Sequence, residues 1–121
     1  MIEMLNQLVM VGRIANKPEL RKTETGKNVT TITLAVPRNY KNEEGVYDTD
    51  FIDTTLWNSV AENTVEYCKV GDMVGVKGHI QTRNVEDKEG NKIKKVEVVA
   101  EKVTFLAQSK DNPKKDLERG E

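Results

Sequence analysis

The chain has little of what small extracellular or membrane domains depend on. It contains a single cysteine, Cys68, so no intramolecular disulfide can form, and no cysteine or histidine stands at zinc-ligand spacing from it. The longest apolar run, residues 8–11, is far shorter than the about 20 residues that cross a bilayer. No apolar segment follows a basic start, so we expect no secretory signal and a cytoplasmic protein.

The chain also lacks an excess of positive charge and is poor in aromatic residues. Its 19 lysines and arginines are balanced by 20 acidic residues, which gives a net charge of −1. Nucleic-acid-binding domains often carry a basic excess, so bulk charge neither supports nor excludes that function. Any binding of a polyanion would depend on a local basic stripe. Aromatic residues make up only 5% of the chain, so the position of each ring is informative about function.

What the chain does have is a series of β-like runs separated by turn-forming clusters. Apolar residues of one parity predict a first strand over residues 5–14, with Gly12 at a bulge or tight bend. The β-branched alternation of residues 29–36 predicts a second strand, and Pro37 is expected to end it. Residues 38–49 then read as a long polar loop that contains two tyrosines.

A third strand and one helix follow. Residues 50–58 alternate between aliphatic and mixed positions, which predicts a strand. Ser59 is a plausible N-cap for a helix whose apolar residues recur at helical spacing up to Cys68. Gly71 follows the last helical turn, as a glycine at a helix C-terminus often does.

Two more strands complete the body of the chain. The fourth carries Val74, Val76 and Ile80, with Gly75 and Gly78 as possible bend points, and the fifth covers residues 92–107. One short helix between the third and fourth of five strands is the arrangement of the OB-fold, an all-β Greek-key barrel, although other small barrels share the pattern. We therefore predict an OB-fold domain over residues 1–107. The polar residues 108–121 are expected to form a disordered tail.

The sequence contains no pattern typical of catalysis. The only histidine, His79, lies in a predicted strand, where a lone histidine is more often structural or exposed than catalytic. Three glycines at GxxxGxxG spacing match neither a P-loop nor a dinucleotide fingerprint. The aspartates at positions 48, 50 and 53 do not match the EF-hand pattern of a calcium site. We interpret them as an acidic group at the mouth of the predicted loop and not as a metal site. We predict that the protein is not an enzyme and has no cofactor and no metal.

The placement of the aromatic rings points to a binding function instead. Phe51 and Trp57 share a parity opposite to the aliphatic residues of the third strand, so two large rings should point outward. Large exposed rings are typical of binding sites. Nucleic-acid bases are one class of ligand for such rings, because stacking on an aromatic ring depends little on the identity of the base. Tyr40 and Tyr47 lie in the predicted loop among basic residues. Any of these rings could instead cover a barrel edge, a subunit interface or its own loop.

Basic residues lie near these rings along the sequence. Four of them are in or beside predicted strands and a fifth precedes Tyr40; together they are Arg13, Arg21, Lys77, Arg83 and Arg38. As a group they could line a groove for phosphates, which would make binding salt-dependent through counterion release. Each one taken alone is more often a solvated charge than a phosphate contact.

Four segments of the chain together resemble the bacterial single-stranded DNA-binding protein family. They are LNQLVMVGRIANKPELR (5–21), TTITLAVPRNY (30–40), TDFIDTTLWNSVAENTVEYCKVGDMVGVKGHIQTRN (49–84) and VEVVAEKVTFL (96–106). The resemblance implies an OB-fold that assembles as a homotetramer and wraps single-stranded DNA without reading its sequence. It further implies roles in DNA replication, recombination and repair.

The resemblance also assigns residues and shows two departures from the family pattern. The family's aromatic platforms correspond to Tyr40, Phe51 and Trp57, whereas a fourth platform corresponds to Val85, which cannot stack on a base. Family members usually end in an acidic tip with Pro-Phe that recruits replication and repair proteins, whereas this chain ends in Arg-Gly-Glu. Recruitment of such partners is therefore not expected, and the chain is either truncated or a short paralogue or phage-type protein.

Two other classes of function remain open at this point. In the first, the domain binds another protein, and Phe51 and Trp57 are buried in that interface. In the second, the protein is a nuclease, which would require clustered carboxylates and a metal ion.

Overall fold

The computed structural model describes residues 4–108, which form six strands and one helix. In chain order the elements are β1 (Leu8–Ile14), β2 (Arg21–Lys22), β3 (Asn28–Lys41), β4 (Tyr47–Trp57), α1 (Asn58–Tyr67), β5 (Met73–Glu86) and β6 (Lys92–Ala107). The short β2 was not predicted, because two residues cannot display a strand period.

The strands close into a barrel. They are ordered β1-β5-β6-β4-β3-β2, and β1 also pairs with β3, so that β1, β5, β6, β4 and β3 form a ring. The β4–β6 pairing is parallel, and the others are antiparallel. Helix α1 connects β4 to β5. The predicted five-stranded OB-fold with one short helix is confirmed.

Aliphatic residues of one parity fill the barrel. The fully buried aliphatic side chains come from four strands and are Ile14, Ile32, Leu34, Leu56, Val74 and Val76. Each such side chain contributes about 1.5–3 kcal/mol relative to full exposure. Helix α1 adds Ala61 to the same cluster. In β3 and β4 the strand parity predicted from the sequence is therefore the parity of the core, whereas Ile80 of β5, beyond the register shift after Lys77, is exposed.

Two glycines allow the barrel to close. A Cβ atom on Gly12 would lie 2.7 Å from the carbonyl oxygen of Ala35, so β1 can approach β3 this closely only at a glycine. A Cβ atom on Gly78 would overlap the carbonyl oxygen of Val99, beside a register shift between β5 and β6. Gly78, one of two possible bend points in the sequence, thus adjoins a register shift, whereas Gly12 allows the close approach of two strands.

The predicted long loop over residues 38–49 is wrong. β3 continues through Pro37 to Lys41, and β4 begins at Tyr47, so only a short turn separates the two strands. A register shift between Pro37 and Lys41 accommodates the proline, which cannot donate a ladder hydrogen bond. In the turn, the side-chain oxygen of Asn42 accepts hydrogen bonds from the backbone N–H groups of Glu44 and Val46.

The predicted start of the helix is also shifted. Trp57 occupies the N-cap position of α1 without a side-chain capping bond, and Asn58, not Ser59, begins the helix. Asn58 has a φ of 53°, in the left-handed region that few non-glycine residues adopt. Gly71, which was expected at the helix C-terminus, lies in the turn beyond it with a φ of 91°.

Two further predictions concern the C-terminal residues and membrane-spanning segments. The predicted tail over residues 108–121 lies outside the described residues except for Gln108. Within residues 4–108, no helix has the length and apolar character needed to cross a membrane.

Candidate nucleic-acid interface

The exposed aromatic residues lie on the outside of the β3–β4 sheet. Opposed residues of an antiparallel pair share a face, and Thr31, Thr33 and Ala35 of β3 oppose Thr55, Asp53 and Phe51 of β4. Their neighbours Ile32, Leu34 and Leu56 point inward and are buried. We call the outward surface, formed by residues 29, 31, 33 and 35 of β3 and 51, 53, 55 and 57 of β4, the β3–β4 outer face.

A first cross-strand row on this face joins an arginine to an aromatic ring. Arg13 of β1 opposes Ala35 of β3, and Ala35 opposes Phe51 of β4. Phe51 is 67% exposed. The Nη1 atom of Arg13 donates a hydrogen bond to the carbonyl oxygen of Gly71 at 2.8 Å, which holds the guanidinium in place. A cation and an exposed ring thus flank a small residue that leaves the surface between them open.

A second row repeats this arrangement at the other end of the face. Arg21 of β2 opposes Val29 of β3, which opposes Trp57 of β4. Val29 is only 6% exposed although it has outward parity, whereas Trp57 is half-buried and Arg21 is exposed. The six-residue separation of Phe51 and Trp57 along β4 corresponds to about 20 Å. The two rings are therefore separate platforms on one surface.

Polar side chains occupy the space between the two rows. The hydroxyl of Thr33 donates a hydrogen bond of 2.7 Å to the carboxylate of Asp53 on the facing strand. The next pair towards Trp57 is Thr31 opposite Thr55. The centre of the face is therefore polar and carries one negative charge. Positive charge comes only from its two edges.

Arg38 does not share this face. Its guanidinium donates hydrogen bonds to the carboxylate of Asp50, with Nη2 3.0 Å from Oδ1 and Nε 3.2 Å from Oδ2, and lies 3.7 Å from Asp48. Asp50 opposes Val36 and has the parity opposite to Phe51. The hydrogen bond from Arg38 lowers the pKa of Asp50, and the same contact raises the pKa of Arg38 above its already high usual value. The charge of Arg38 is therefore compensated.

The two tyrosines of the β3–β4 hairpin are on strands, not on a loop. Tyr40 is 60% exposed in the irregular part of β3. Tyr47 is also exposed, and the ammonium group of Lys41 lies 5.7 Å from the centre of its ring. A role for Tyr40 as a platform stays a prediction.

Lys77 and Arg83 lie elsewhere, on the outside of β5. Lys77 opposes Val9 of β1 and Lys102 of β6. Within residues 4–108, neither Lys77 nor Arg21 has a carboxylate at ion-pair distance. Arg83 lies 3.5 Å from Glu97, which also accepts a hydrogen bond of 2.8 Å from Gln81.

Two residues singled out from the sequence lie on the same β5–β6 surface. Val85, to which the resemblance assigns a fourth platform, is half-buried opposite Ile93. His79 is hydrogen-bonded at Nδ1 to Glu101 and at Nε2 to Gln81, and the hydrogen bond with Glu101 is the main cause of its raised pKa. His79 thus belongs to a surface network. Among the described residues, no cluster of three histidine, cysteine, aspartate or glutamate side chains could hold a metal ion.

The structure therefore brings Arg13, Arg21, Phe51 and Trp57 to one surface and leaves Arg38, Lys77 and Arg83 outside it. The sequence interpretation missed the compensation of Arg38, because it depends on the register of β3 against β4. It also treated Thr23–Asn28 only as a turn, although part of this segment lines a cleft beside Trp57. The basic and hydroxyl side chains of that turn were the available signal.

Comparison with known proteins identifies the family. The Single-strand binding protein family matches residues 5–106. The chain is 46% identical to Single-stranded DNA-binding protein B of Bacillus subtilis over 103 aligned residues. The aligned residues cover 85% of this chain and 91% of that protein. It is 48% identical over 103 residues to Single-stranded DNA-binding protein 2 of Listeria innocua, covering 85% and 65% of the two chains. It is 43% identical over 115 residues to Single-stranded DNA-binding protein 1 of Staphylococcus aureus, covering 94% and 74%. The chain belongs to the single-strand binding protein family.

Proposed function

We propose that the protein binds single-stranded DNA independently of base sequence, in DNA replication, recombination and repair, through the β3–β4 outer face. The observation that carries this proposal is the pair of rows in which an exposed or half-buried ring lies across the sheet from an arginine. The names of the B. subtilis, L. innocua and S. aureus relatives support it.

The two kinds of side chain have different tasks. Phe51 and Trp57 stack on bases, and each stack is worth about 1–3 kcal/mol whatever the base. Arg13 and Arg21 neutralise phosphates at the edges of the face, and Tyr40, Lys77 and Arg83 extend the path of the strand around the barrel. Because none of these groups reads a base edge, binding is independent of sequence. No bond is broken, and the protein acts by binding alone.

We also propose that the protein acts as a homotetramer. Apolar side chains stand exposed on the outside of β1, where Val9 is 72% and Val11 49% exposed, and on β5 and β6 at Ile80 and Val96. Exposed apolar side chains favour a protein interface, and a second copy of the chain is the cover that we propose for them.

The fluorescence of Trp57, the single tryptophan of the chain, provides the direct test. Adding oligo-dT should quench it, whereas duplex DNA should leave it unchanged. The logarithm of the binding constant should fall with the logarithm of the salt concentration, with a slope of about −0.7 for each phosphate neutralised.

Variants of the two platforms complete the test. Phe51→Ala and Trp57→Ala should each weaken oligo-dT binding by about tenfold or more. Tyr67→Ala is the control, since it removes an exposed ring at the end of α1, beside Val103 and Phe105 of β6. Unchanged Trp57 emission at saturating oligo-dT would instead assign the rings to a protein interface. Strand cleavage on adding magnesium would indicate a nuclease.

A further inference from the structure

The guanidinium of Arg13 is held by a backbone carbonyl group and not by a carboxylate. Its Nη1 atom donates a hydrogen bond of 2.8 Å to the carbonyl oxygen of Gly71. Within residues 4–108, no acidic side chain lies at ion-pair distance from Arg13, whereas Arg38 is bonded to Asp50. Because a guanidinium has five N–H donors, one bond to a neutral oxygen fixes it and leaves its charge available to a phosphate.

The same guanidinium is accessible from the surface that carries Phe51. Arg13 borders an open hollow of about 400 Å³ on the outside of the barrel. The hollow is also lined by Ala35 of β3 and Thr49 of β4, and Thr49 has the same parity as Phe51. A phosphate on this side of the barrel can therefore reach Arg13 without a rearrangement of the strands.

The carbonyl group that holds Arg13 belongs to a tight turn after helix α1. In this turn, residues 69–72, the backbone N–H of Asp72 donates a hydrogen bond to the carbonyl oxygen of Lys69 at 3.0 Å. Gly71 is the third residue of the turn and has a φ of 91°. A positive φ at the third position is typical of a type II turn and favours glycine there. We call this segment the 69–72 turn.

Two backbone hydrogen bonds join the 69–72 turn to the end of β1. The N–H of Gly71 donates to the carbonyl oxygen of Ile14 at 2.8 Å, and the N–H of Ile14 donates to the carbonyl oxygen of Asp72 at 2.9 Å. Ile14 directly follows Arg13 in the chain. A change in the shape of the turn would therefore alter the direction of the acceptor relative to the backbone that carries the guanidinium.

A buried carboxylate closes the 69–72 turn a second time. Asp72 is only 2% exposed, and its Oδ2 atom accepts a hydrogen bond of 2.9 Å from the N–H of Lys69, at the other end of the turn. Burial of a carboxylate is costly unless it is hydrogen-bonded, and a bond to a charged acceptor is stronger than a bond between neutral groups. The shape of the turn thus depends on this side chain as well as on its backbone.

We infer that Asp72 is a positioning residue for Arg13. The buried carboxylate fixes the shape of the 69–72 turn, the turn directs the carbonyl group of Gly71, and that carbonyl group directs the guanidinium of Arg13 towards a phosphate beside Phe51. This inference rests on the proposed function. It adds a residue that is negatively charged and buried, and that acts on DNA binding without contacting the DNA.

A comparison of Asp72→Ala with Asp72→Asn tests the positioning role. Both variants remove the same negative charge, but asparagine keeps a side-chain oxygen that can accept the Lys69 N–H. Asp72→Ala should weaken oligo-dT binding about three- to tenfold and reduce the magnitude of the log–log salt slope by up to about 0.7, because Arg13 loses its fixed position. Asp72→Asn should bind within about twofold of the wild-type protein. Since the loss of a negative charge by itself favours a polyanion, tighter binding by both variants would overturn the inference.

A double-mutant cycle shows whether Asp72 acts through Arg13. Arg13→Gln alone should weaken binding, and Asp72→Ala added to it should cause little further loss, since no guanidinium is left to position. A purely structural role of Asp72 would give the same loss with and without Arg13→Gln, and this additive result would overturn the inference. If Asp72→Ala does not fold, Asp72→Ser takes its place in the cycle, because serine is frequent in turns and its side chain is shorter.

The control for stability is Val103→Ala. Val103 packs against the core from β6, where it opposes Val76 of β5. Its truncation should lower the melting temperature but leave the oligo-dT affinity and the salt slope unchanged at a temperature at which all variants are folded. A loss of affinity in Val103→Ala equal to that in Asp72→Ala would assign both losses to lower stability and overturn the inference.

The outcomes separate the positioning role from the proposed function. If the wild-type protein binds oligo-dT with quenching of Trp57 while Asp72→Ala binds as tightly as wild type, the positioning role is wrong and the proposed function stands. If the wild-type protein does not bind oligo-dT at all, both are wrong. Weaker binding by Asp72→Ala that disappears in the Arg13→Gln background supports both.

Discussion

The guanidinium of Arg38 is hydrogen-bonded to the carboxylate of Asp50 on the facing strand, with Nη2 3.0 Å from Oδ1. A second carboxylate, that of Asp48, lies 3.7 Å from Nη1 of the same group. A phosphate that approached Arg38 would therefore compete with two acidic side chains of the protein. This relationship shows why a count of basic residues overstates the positive charge that the protein offers to DNA.

Removal of one of these carboxylates should release Arg38 for phosphate binding. We expect Asp50→Asn to tighten binding of oligo-dT at low salt by about two- to fivefold and to steepen its salt dependence, since exposed ion pairs are weak. Titration at two salt concentrations measures both effects. Glu62→Gln on helix α1 is the control, because it makes the same change in net charge on another element. Unchanged affinity in Asp50→Asn would exclude Arg38 from the path of the strand.

Barrel closure should depend on two glycines and not on a third. Gly12→Ala and Gly78→Ala place a methyl group against backbone carbonyls, so each should lower the free energy of unfolding by about 1–3 kcal/mol or more. In Gly75→Ala the new Cβ atom would lie 3.6 Å from the side chain of Leu106 and 4.0 Å from the carbonyl oxygen of Met10, both ordinary contact distances, so stability should change little. Denaturant unfolding of the three variants makes the comparison. A destabilised Gly75→Ala with an unaffected Gly12→Ala would contradict this account of closure.

The contact between His79 and Glu101 should make stability depend on pH near neutrality. Because the hydrogen bond raises the pKa of folded His79 above its unfolded value, the stabilisation is fully present below about pH 6.5. It is lost as the pH rises through the raised folded pKa. The melting temperature should therefore fall between pH 6 and pH 8.

Two variants isolate the contribution of this contact. Glu101→Gln removes the charged acceptor, and His79→Gln removes the titrating group, so both should show a smaller fall than the wild-type protein over the same interval. Identical pH profiles in the wild-type protein and in His79→Gln would show that another group causes the fall.

Val85 is the position to which the family resemblance assigns a fourth aromatic platform. It lies opposite Ile93 on the same surface of the β5–β6 hairpin as Arg83. Val85→Tyr should tighten binding to long oligo-dT by up to about tenfold, the equivalent of about 1.4 kcal/mol, through one added stack. Glu86→Tyr is the control, since its ring would point to the opposite side of the same hairpin. A lower melting temperature without tighter binding would show that Val85 serves packing against Ile93.

The sequence by itself determined the architecture and the family. The period-two alternation of residues 29–36 and 50–58 separates buried from exposed positions, because strand side chains alternate between two faces whatever their tertiary surroundings. That parity was enough to place Phe51 and Trp57 outside the core. The order of strands and helix then indicated the OB-fold, and the combined segments identified the family.

Only the tertiary structure decided which charged groups act together. Strand register places Arg13 across from Phe51 and Arg21 across from Trp57, and it places Arg38 against Asp50; residues that oppose each other can be far apart in sequence. Likewise, Lys27 and Trp57 line one cleft because the turn after β2 folds back beside the end of β4. Local patterns determine which face a side chain occupies, whereas its neighbours are determined by the pairing of distant strands.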